Sequence, residues 1–257
     1  MCWARIRMSV PGSSNPSYSR HVAIDVGWLI ETKDPQLIGD GRGAMEKDLA
    51  NKNLFMMCKV LNPEALAELP NAYHVRTCRR DELDMWAKMP FDDPLTADKF
   101  SEFMMSYFND VYADSGNLFF QSCLFVCDKN DTPIATCFGW KAYRKISTIH
   151  WFKVLKAYEG QGIGRALLSI VMQSFSQDDF PIYLHTQPSS FRAIKLYSDF
   201  GFAFLTDETI GFRQNDLKEC LPYLKTQMFQ SDFENIRLTR APRTFLDDVK
   251  SSRIGQF

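Results

Sequence analysis

The feature that most constrains this chain is a run of alternating glycines, Gly160-Gln161-Gly162-Ile163-Gly164, set between a strand and a helix. Before it, Lys145 to Leu155 alternates like a strand. Thr148, His150, Phe152 and Val154 fall on one face and Ile149, Trp151 and Lys153 on the other. After it, Ile163 to Phe175 is strongly apolar and of helical length. Glycine allows a tight turn and a close approach to the backbone. A helix start adds N–H groups without intrahelical partners and a dipole that attracts anions. The unit can therefore cradle a phosphate. Taken alone, it reads equally well as a plain structural turn. The dinucleotide fingerprint GxGxxG is absent, because the glycines fall at 160, 162 and 164. Arg165-Ala166 stands where a Walker motif needs GK[ST]. A second cluster, Gly39-Asp40-Gly41-Arg42-Gly43, matches neither pattern and reads as an ordinary loop.

Around this unit the periodicity predicts further elements. His21 to Glu31 is a strand or short helix, Ala44 to Leu61 a helix, and Pro63 to Leu69 a short helix closed by Pro70. Tyr73 to Cys78 alternates like a strand. Asp81 to Lys88 is helical, and Thr96 is the expected N-cap of a helix through Tyr112. Asn117 to Cys127 and Pro133 to Tyr143 form a hairpin across Asp128–Thr132. Phe180 to Thr186 is a strand. Ser189 or Ser190 caps a helix to Asp199, which Gly201 terminates. Phe202 to Leu205 and Ile210 to Arg213 are short strands, and Asp216 to Lys225 is a helix. This order predicts the α/β (α+β) class, a mixed and mostly antiparallel central sheet flanked by helices, with an added N-terminal segment.

Composition narrows the function classes. The 257 residues carry 30 Lys and Arg against 31 Asp and Glu, a balance that does not favour a duplex-DNA binder. The seven cysteines are odd in number and include no CxxC pair, so they read as reduced thiols rather than disulfides or a metal site. No signal-peptide core and no membrane-length apolar run occurs. The expectation is a cytoplasmic protein without metal, nucleic-acid or membrane partners; its oligomeric state is not readable.

The run from Val154 to Leu168, VLKAYEGQGIGRALL, resembles the acyl-CoA-binding motif of the GNAT superfamily of N-acetyltransferases. Downstream, Ser190 to Phe202, SFRAIKLYSDFGF, resembles that family's second motif, with an Ala, a Leu-Tyr pair and a Gly-Phe pair at the same spacing. The resemblance covers Tyr73 to Arg213. It implies a GNAT-like sheet and acetyl-CoA as acyl donor. It departs from the family pattern [QR]xxGx[GA] in placing Glu159 at the Gln/Arg position. A second register, Gln161 to Ala166, satisfies the pattern literally, but the first keeps Val154 and Leu167 at their usual distances. Ser190 stands where Asn is frequent.

The resemblance implies direct attack of a primary amine on a thioester. Backbone N–H groups of Phe152 and Val154 would meet the thioester oxygen, and a splay between their strand and Phe180–Thr186 would admit the pantetheine arm. The cradle would be Glu159, Gly160, Gln161, Gly162, Ile163, Gly164 and Arg165, with Ser190 opposite. Tyr197 is the general acid for the leaving thiolate; otherwise it is a helix tyrosine packed on the sheet. His150 is the first choice of base, on the face of Phe152 and Val154. It reads equally as a satisfied sheet histidine. His185 and a water-mediated route follow. A catalytically inactive acyl-CoA-binding or protein-interaction module is the alternative function, and a donor other than acetyl stays open.

The expected organisation is a lead-in over 1–20, an N-terminal extension or small subdomain over 21–72, the acyltransferase domain over 73–213, and a C-terminal helix and tail over 214–257. The acceptor is a small-molecule or peptide amine. Asp92, Asp93 and Asp98 could attract a cation or form a solvated acidic turn.

Overall fold

The computed structural model describes Leu49 and residues 52–250 and 255–257. The lead-in, the element expected at His21–Glu31 and the start of the Ala44–Leu61 helix lie outside them. Eight strands form one sheet in the order β10-β7-β1-β6-β5-β4-β3-β2. They are β1 (Leu54–Cys58), β2 (His74–Thr77), β3 (Leu124–Cys127), β4 (Pro133–Ala142), β5 (Ile146–Val154), β6 (Ile182–Thr186), β7 (Phe202–Leu205) and β10 (Leu238–Thr239). Neighbours are antiparallel except β5/β6 and β7/β10. A separate hairpin joins β8 (Thr209–Ile210) to β9 (Arg213–Gln214). The helices are α1 (Leu83–Lys88), α2 (Pro94–Lys99), α3 (Ser101–Val111), α4 (Leu118–Ser122), α5 (Ile163–Gln173), α6 (Phe191–Asp199), α7 (Leu217–Gln227), α8 (Gln230–Glu234) and α9 (Arg243–Lys250).

The two-residue strand period sorts side chains onto two faces. Leu54, Met56 and Cys58 of β1 and Ile182 and Leu184 of β6 join a core with α5, α6 and α7. The opposite face carries two patches. Over β3–β5, the helices α1–α4 bring Trp86, Phe108, Tyr112 and Phe119 into an aromatic layer with Phe138 and Trp140. Over β1 and β6, α9 covers Phe55, Met57 and Tyr183 with Phe245 and Val249. The rings of Tyr183 and Phe245 stack at 3.9 Å.

Several expectations change. From Leu54 onward the helix expected over 44–61 is β1, an all-buried strand inserted between β6 and β7. Its continuous apolar run serves two buried faces, which periodicity alone confuses with a helix. The sheet thus draws β1 from before the expected 73–213 span and β10 from after it. The helix expected from Thr96 to Tyr112 is two helices that break at Phe100, whose ring stacks on Phe91 at 5.6 Å. Asp93, not Thr96, caps the first of them. Asn117–Cys127 begins as α4 before becoming β3, because Phe119 turns into the aromatic layer. Ile210–Arg213 is not one strand but a hairpin reversed at Gly211, where φ is +63°.

Candidate active site

The site follows from two irregularities in β5. The first is a bulge. Ala135 pairs with Val154 and Thr136 with Lys153, yet Phe138 pairs with His150, so β5 carries one extra residue over this stretch. Trp151 takes it up with φ +52°. A bulge resets the alternation of faces. His150 and Trp151 therefore both enter the aromatic layer, while Phe152 and Val154 pack against the core of α5 and α6. The expectation that His150 shares a face with Phe152 and Val154 is corrected by this bulge.

The second irregularity is an opening. β5 and β6 are joined at a single register pair, Thr148 with Tyr183. Beyond it lies a cavity lined by Ile149–Lys153 of β5 and by His185, Thr186 and Gln187 at the end of β6. The N–H of Leu155 donates to Ile134 on the β4 side at 2.9 Å. Backbone N–H groups alternate between strand edges. Those of Val154 and Phe152 therefore project to the other edge, toward the opening.

The glycine turn adjoins this region through Gly164, which lies against the ring of the lining residue Phe152. Gly160 and Gly162 have φ of +76° and +81°, a conformation glycine adopts without strain. Gly162 is the N-cap of α5, and the first helical bond runs from Ala166 N–H to its carbonyl at 3.1 Å. The N–H groups of Ile163, Gly164 and Arg165 stand ahead of that bond. A Cβ at Gly164 would lie 3.2 Å from the Phe152 ring and 3.4 Å from Val154. Gly164 thus lets the helix start sit directly against the strand whose N–H groups face the gap.

Side chains around the turn have partners. The Arg165 guanidinium donates to Asp199 at 2.5 Å and to the Ala65 carbonyl at 3.2 Å, so only its backbone N–H belongs to the cradle. Gln161 accepts from the Tyr73 hydroxyl at 2.5 Å. Glu159 accepts from Arg192 of α6 at 2.6 Å, which compensates the carboxylate beside the cradle. Sequence reasoning missed Arg192; its place next to Ala193 in the second motif was the available signal.

Tyr197 and Ser190 line the same cavity. Tyr197 is 6 % exposed and packs between Phe152 and Phe202, both at 5.8 Å. Burial, with a smaller contribution from the Cys137 thiol, pushes its hydroxyl above the ordinary tyrosine range, so it stays protonated at neutral pH. Ser190 is at the N-cap of α6 but makes no capping bond, because a 3-10 turn, Pro188–Ser190, leads into the helix.

Both candidate bases are neutral. His150 is 4 % exposed, and burial pulls it down to about 3. Its Nδ1 lies 2.6 Å from the Tyr112 hydroxyl, which also accepts from Trp151 Nε1 at 2.9 Å. Burial, and then the charge of Arg213, hold His185 well below the usual imidazole range. Its Nε2 is 2.7 Å from Asn53 Oδ1.

His74, Cys127 and Asp131 offer ligand atoms within 4.8 Å of one another. Asp131 already accepts from Arg76 at 2.7 Å and Arg79 at 2.6 Å, so the cluster is an ion-pair brace between β2 and the β3–β4 turn.

A helix started by a glycine, set against a strand of an opened parallel pair, is the geometry of the candidate site. Residues 84–202 match the sequence model of the acetyltransferase (GNAT) family. Similar solved structures include a GNAT-family acetyltransferase from Colwellia psychrerythraea, at 14% identity and TM-score 0.42, covering 59% of this chain and 52% of that one. A GCN5-related N-acetyltransferase from Sphaerobacter thermophilus follows at 18% identity and TM-score 0.42, covering 60% of this chain and 48% of the other. A Drosophila protein has 15% identity and TM-score 0.38, covering 59% and 47%. The chain spans about half the length of these structures. No curated protein matches it.

Proposed function

We propose that this protein is an N-acyltransferase that moves an acetyl group from acetyl-CoA to a primary amine by direct attack. What supports the reading is that Phe152 and Tyr197 line the opening between β5 and β6, while Gly164 at the start of α5 lies against Phe152 and Val154. The N–H groups from Gly160 to Arg165 are suited to a pyrophosphate, and Ser190 stands across the opening. Bound acetyl-CoA supplies an activated thioester.

The chain's own groups then have distinct tasks. Phe152 and Val154 present backbone N–H donors fixed before the reaction, the arrangement that stabilises a developing oxyanion with least reorganisation. Tyr197 holds its proton where a departing sulfur can take it. His150 does not serve as the base in this reading, because a group that protonates only near pH 3 cannot compete for an ammonium proton. The amine loses its proton to water on entering the site. All six described cysteines are buried free thiols, which supports a reducing, cytoplasmic location. Among the described residues no helix is long and apolar enough to cross a membrane.

Thiol release from acetyl-CoA over a panel of amines tests the proposal. Turnover is expected with at least one amine, and Tyr197→Phe is expected to lower kcat by roughly 10²-fold while leaving acetyl-CoA affinity nearly unchanged. Release no faster than hydrolysis with every amine would contradict it.

A further inference from the structure

We propose that the acceptor is a monoamine with an aromatic or apolar body and a weakly basic amino group, such as the α-amine of an aromatic amino-acid derivative, and that polyamines and lysine side chains are poor acceptors. The inference rests on the acyl-transfer reading above and names the substrate class of that site.

Part of the opening's lining is apolar or aromatic: Pro90, Tyr107 of α3, Trp151 and Phe257. Phe257 comes from the far C-terminal region. It is held by ring contacts with Tyr143 and Phe245, by its carbonyl accepting from Arg213, and by neighbouring Gln256 accepting from the Tyr143 N–H. Two distant parts of the chain thus close one aromatic groove.

The charges around this groove decide what can enter. Among the described lining residues no side chain is a carboxylate, and the cationic side chain is Lys153. The acidic residues that could have drawn a cation are engaged. Asp92 pairs with Lys153 at 2.8 Å, Asp93 caps α2 through the Thr96 N–H at 2.8 Å, and Asp98 lies 3.5 Å from Lys88. Arg213 stands behind the rings of Phe55 and Phe257 and donates to the Phe257 main-chain oxygen. The remaining titratable groups facing the site, Tyr107, Tyr112, Tyr197, His150 and His185, are held neutral by burial. Tyr107 and Trp151 meet edge to face, with centroids 5.4 Å apart at 85°, so they do not present the parallel faces of a cation cage.

An ammonium entering this groove loses hydration and meets, among the described lining residues, a Lys153 already paired with Asp92 and no unpaired carboxylate side chain to replace the water. The amine must therefore enter neutral. An α-amino group of pKa about 7.7–8.0 is neutral several-hundred-fold more often at pH 7 than a lysine amine of pKa about 10.4. Aromatic walls then bury an aromatic body. A polycation fails twice, since its other charges have no partner.

The test compares phenylalanine amide, Nα-acetyl-lysine amide and spermidine in two readouts. One is kcat/KM by thiol release from acetyl-CoA. The other is calorimetric binding of each amine to the protein saturated with free CoA, which needs no turnover. Phenylalanine amide is expected to lead by at least ~50-fold in kcat/KM, given the difference in neutral fraction. Phe257→Ala and Tyr107→Ala should each cut that lead several-fold without changing CoA affinity. Spermidine or the lysine amide equalling phenylalanine amide in either readout, or no binding of phenylalanine amide, would overturn the proposal. Binding in the expected order without thiol release would uphold the acceptor class and overturn the acyl-transfer reading alone.

Discussion

The Tyr112 hydroxyl lies 2.6 Å from Nδ1 of His150 and 2.9 Å from Nε1 of Trp151, so two consecutive residues of β5 point into one aromatic layer. Trp donates only, so Tyr112 accepts from it. It then either gives its own proton to His150 or takes one from it; both arrangements keep the imidazole neutral. His150→Gln should therefore leave the pH profile of kcat/KM unchanged between pH 6 and 8. A profile that loses a group titrating near 6.5 would contradict this assignment.

The same burial carries a stability signature. In the unfolded chain a histidine protonates near 6.5, whereas His150 in the fold does so only near 3. The contribution is fully present above about pH 6.5 and is lost as pH falls toward 3, at no more than about 1.4 kcal/mol per pH unit. Urea unfolding at pH 7 and pH 4.5 should show a smaller loss for His150→Gln than for the natural chain. Equal losses would mean that the imidazole is hydrated in the fold.

Glu159 and Arg192 form an exposed ion pair beside the cradle, with Arg192 76% exposed at its side chain. Such pairs are worth roughly 0–1 kcal/mol, so neither Glu159→Gln nor Arg192→Ala should move stability beyond that. Their effects on acetyl-CoA should oppose each other. Removing the carboxylate tightens binding, and removing the guanidinium weakens it, both most strongly at low salt. Calorimetry at two ionic strengths checks the signs.

Trp86 has no exposed surface and meets the rings of Phe108, Tyr112, Phe119 and Trp151. Trp86→Ala should cost roughly 3–5 kcal/mol, measured by denaturant unfolding. Because the layer also seats His150 and Trp151, acceptor selectivity should fall with it. A loss below about 1 kcal/mol would show that the layer repacks around the void.

The sequence made some of this legible and hid the rest for identifiable reasons. β4, β5, α5 and β7 carry strong local periodicity and appear within a few residues of their expected bounds. Glycines at 160, 162 and 164 foretold the turn, because two of them hold φ values that other residues avoid. β1 was misread, since a strand buried on both faces loses the alternation that marks strands. The face of His150 was misread, since no residue type announces the bulge at Trp151. Tyr112 and Phe257 joined the site only through tertiary folding, from α3's end and from the chain's last described segment. Arg165 looked like a phosphate ligand by position, but Asp199 thirty-four residues away claims its side chain.

The central claim is that the opening between β5 and β6 receives an acyl-CoA at the start of α5. Calorimetric titration with acetyl-CoA and with free CoA tests it most directly, on the natural chain and on Gly164→Val, whose side chain would press on Phe152 and Val154. Saturable binding of both ligands that Gly164→Val weakens at least tenfold, with circular dichroism unchanged, is the predicted result. No binding at millimolar ligand, or equal binding by a folded Gly164→Val protein, would contradict the account.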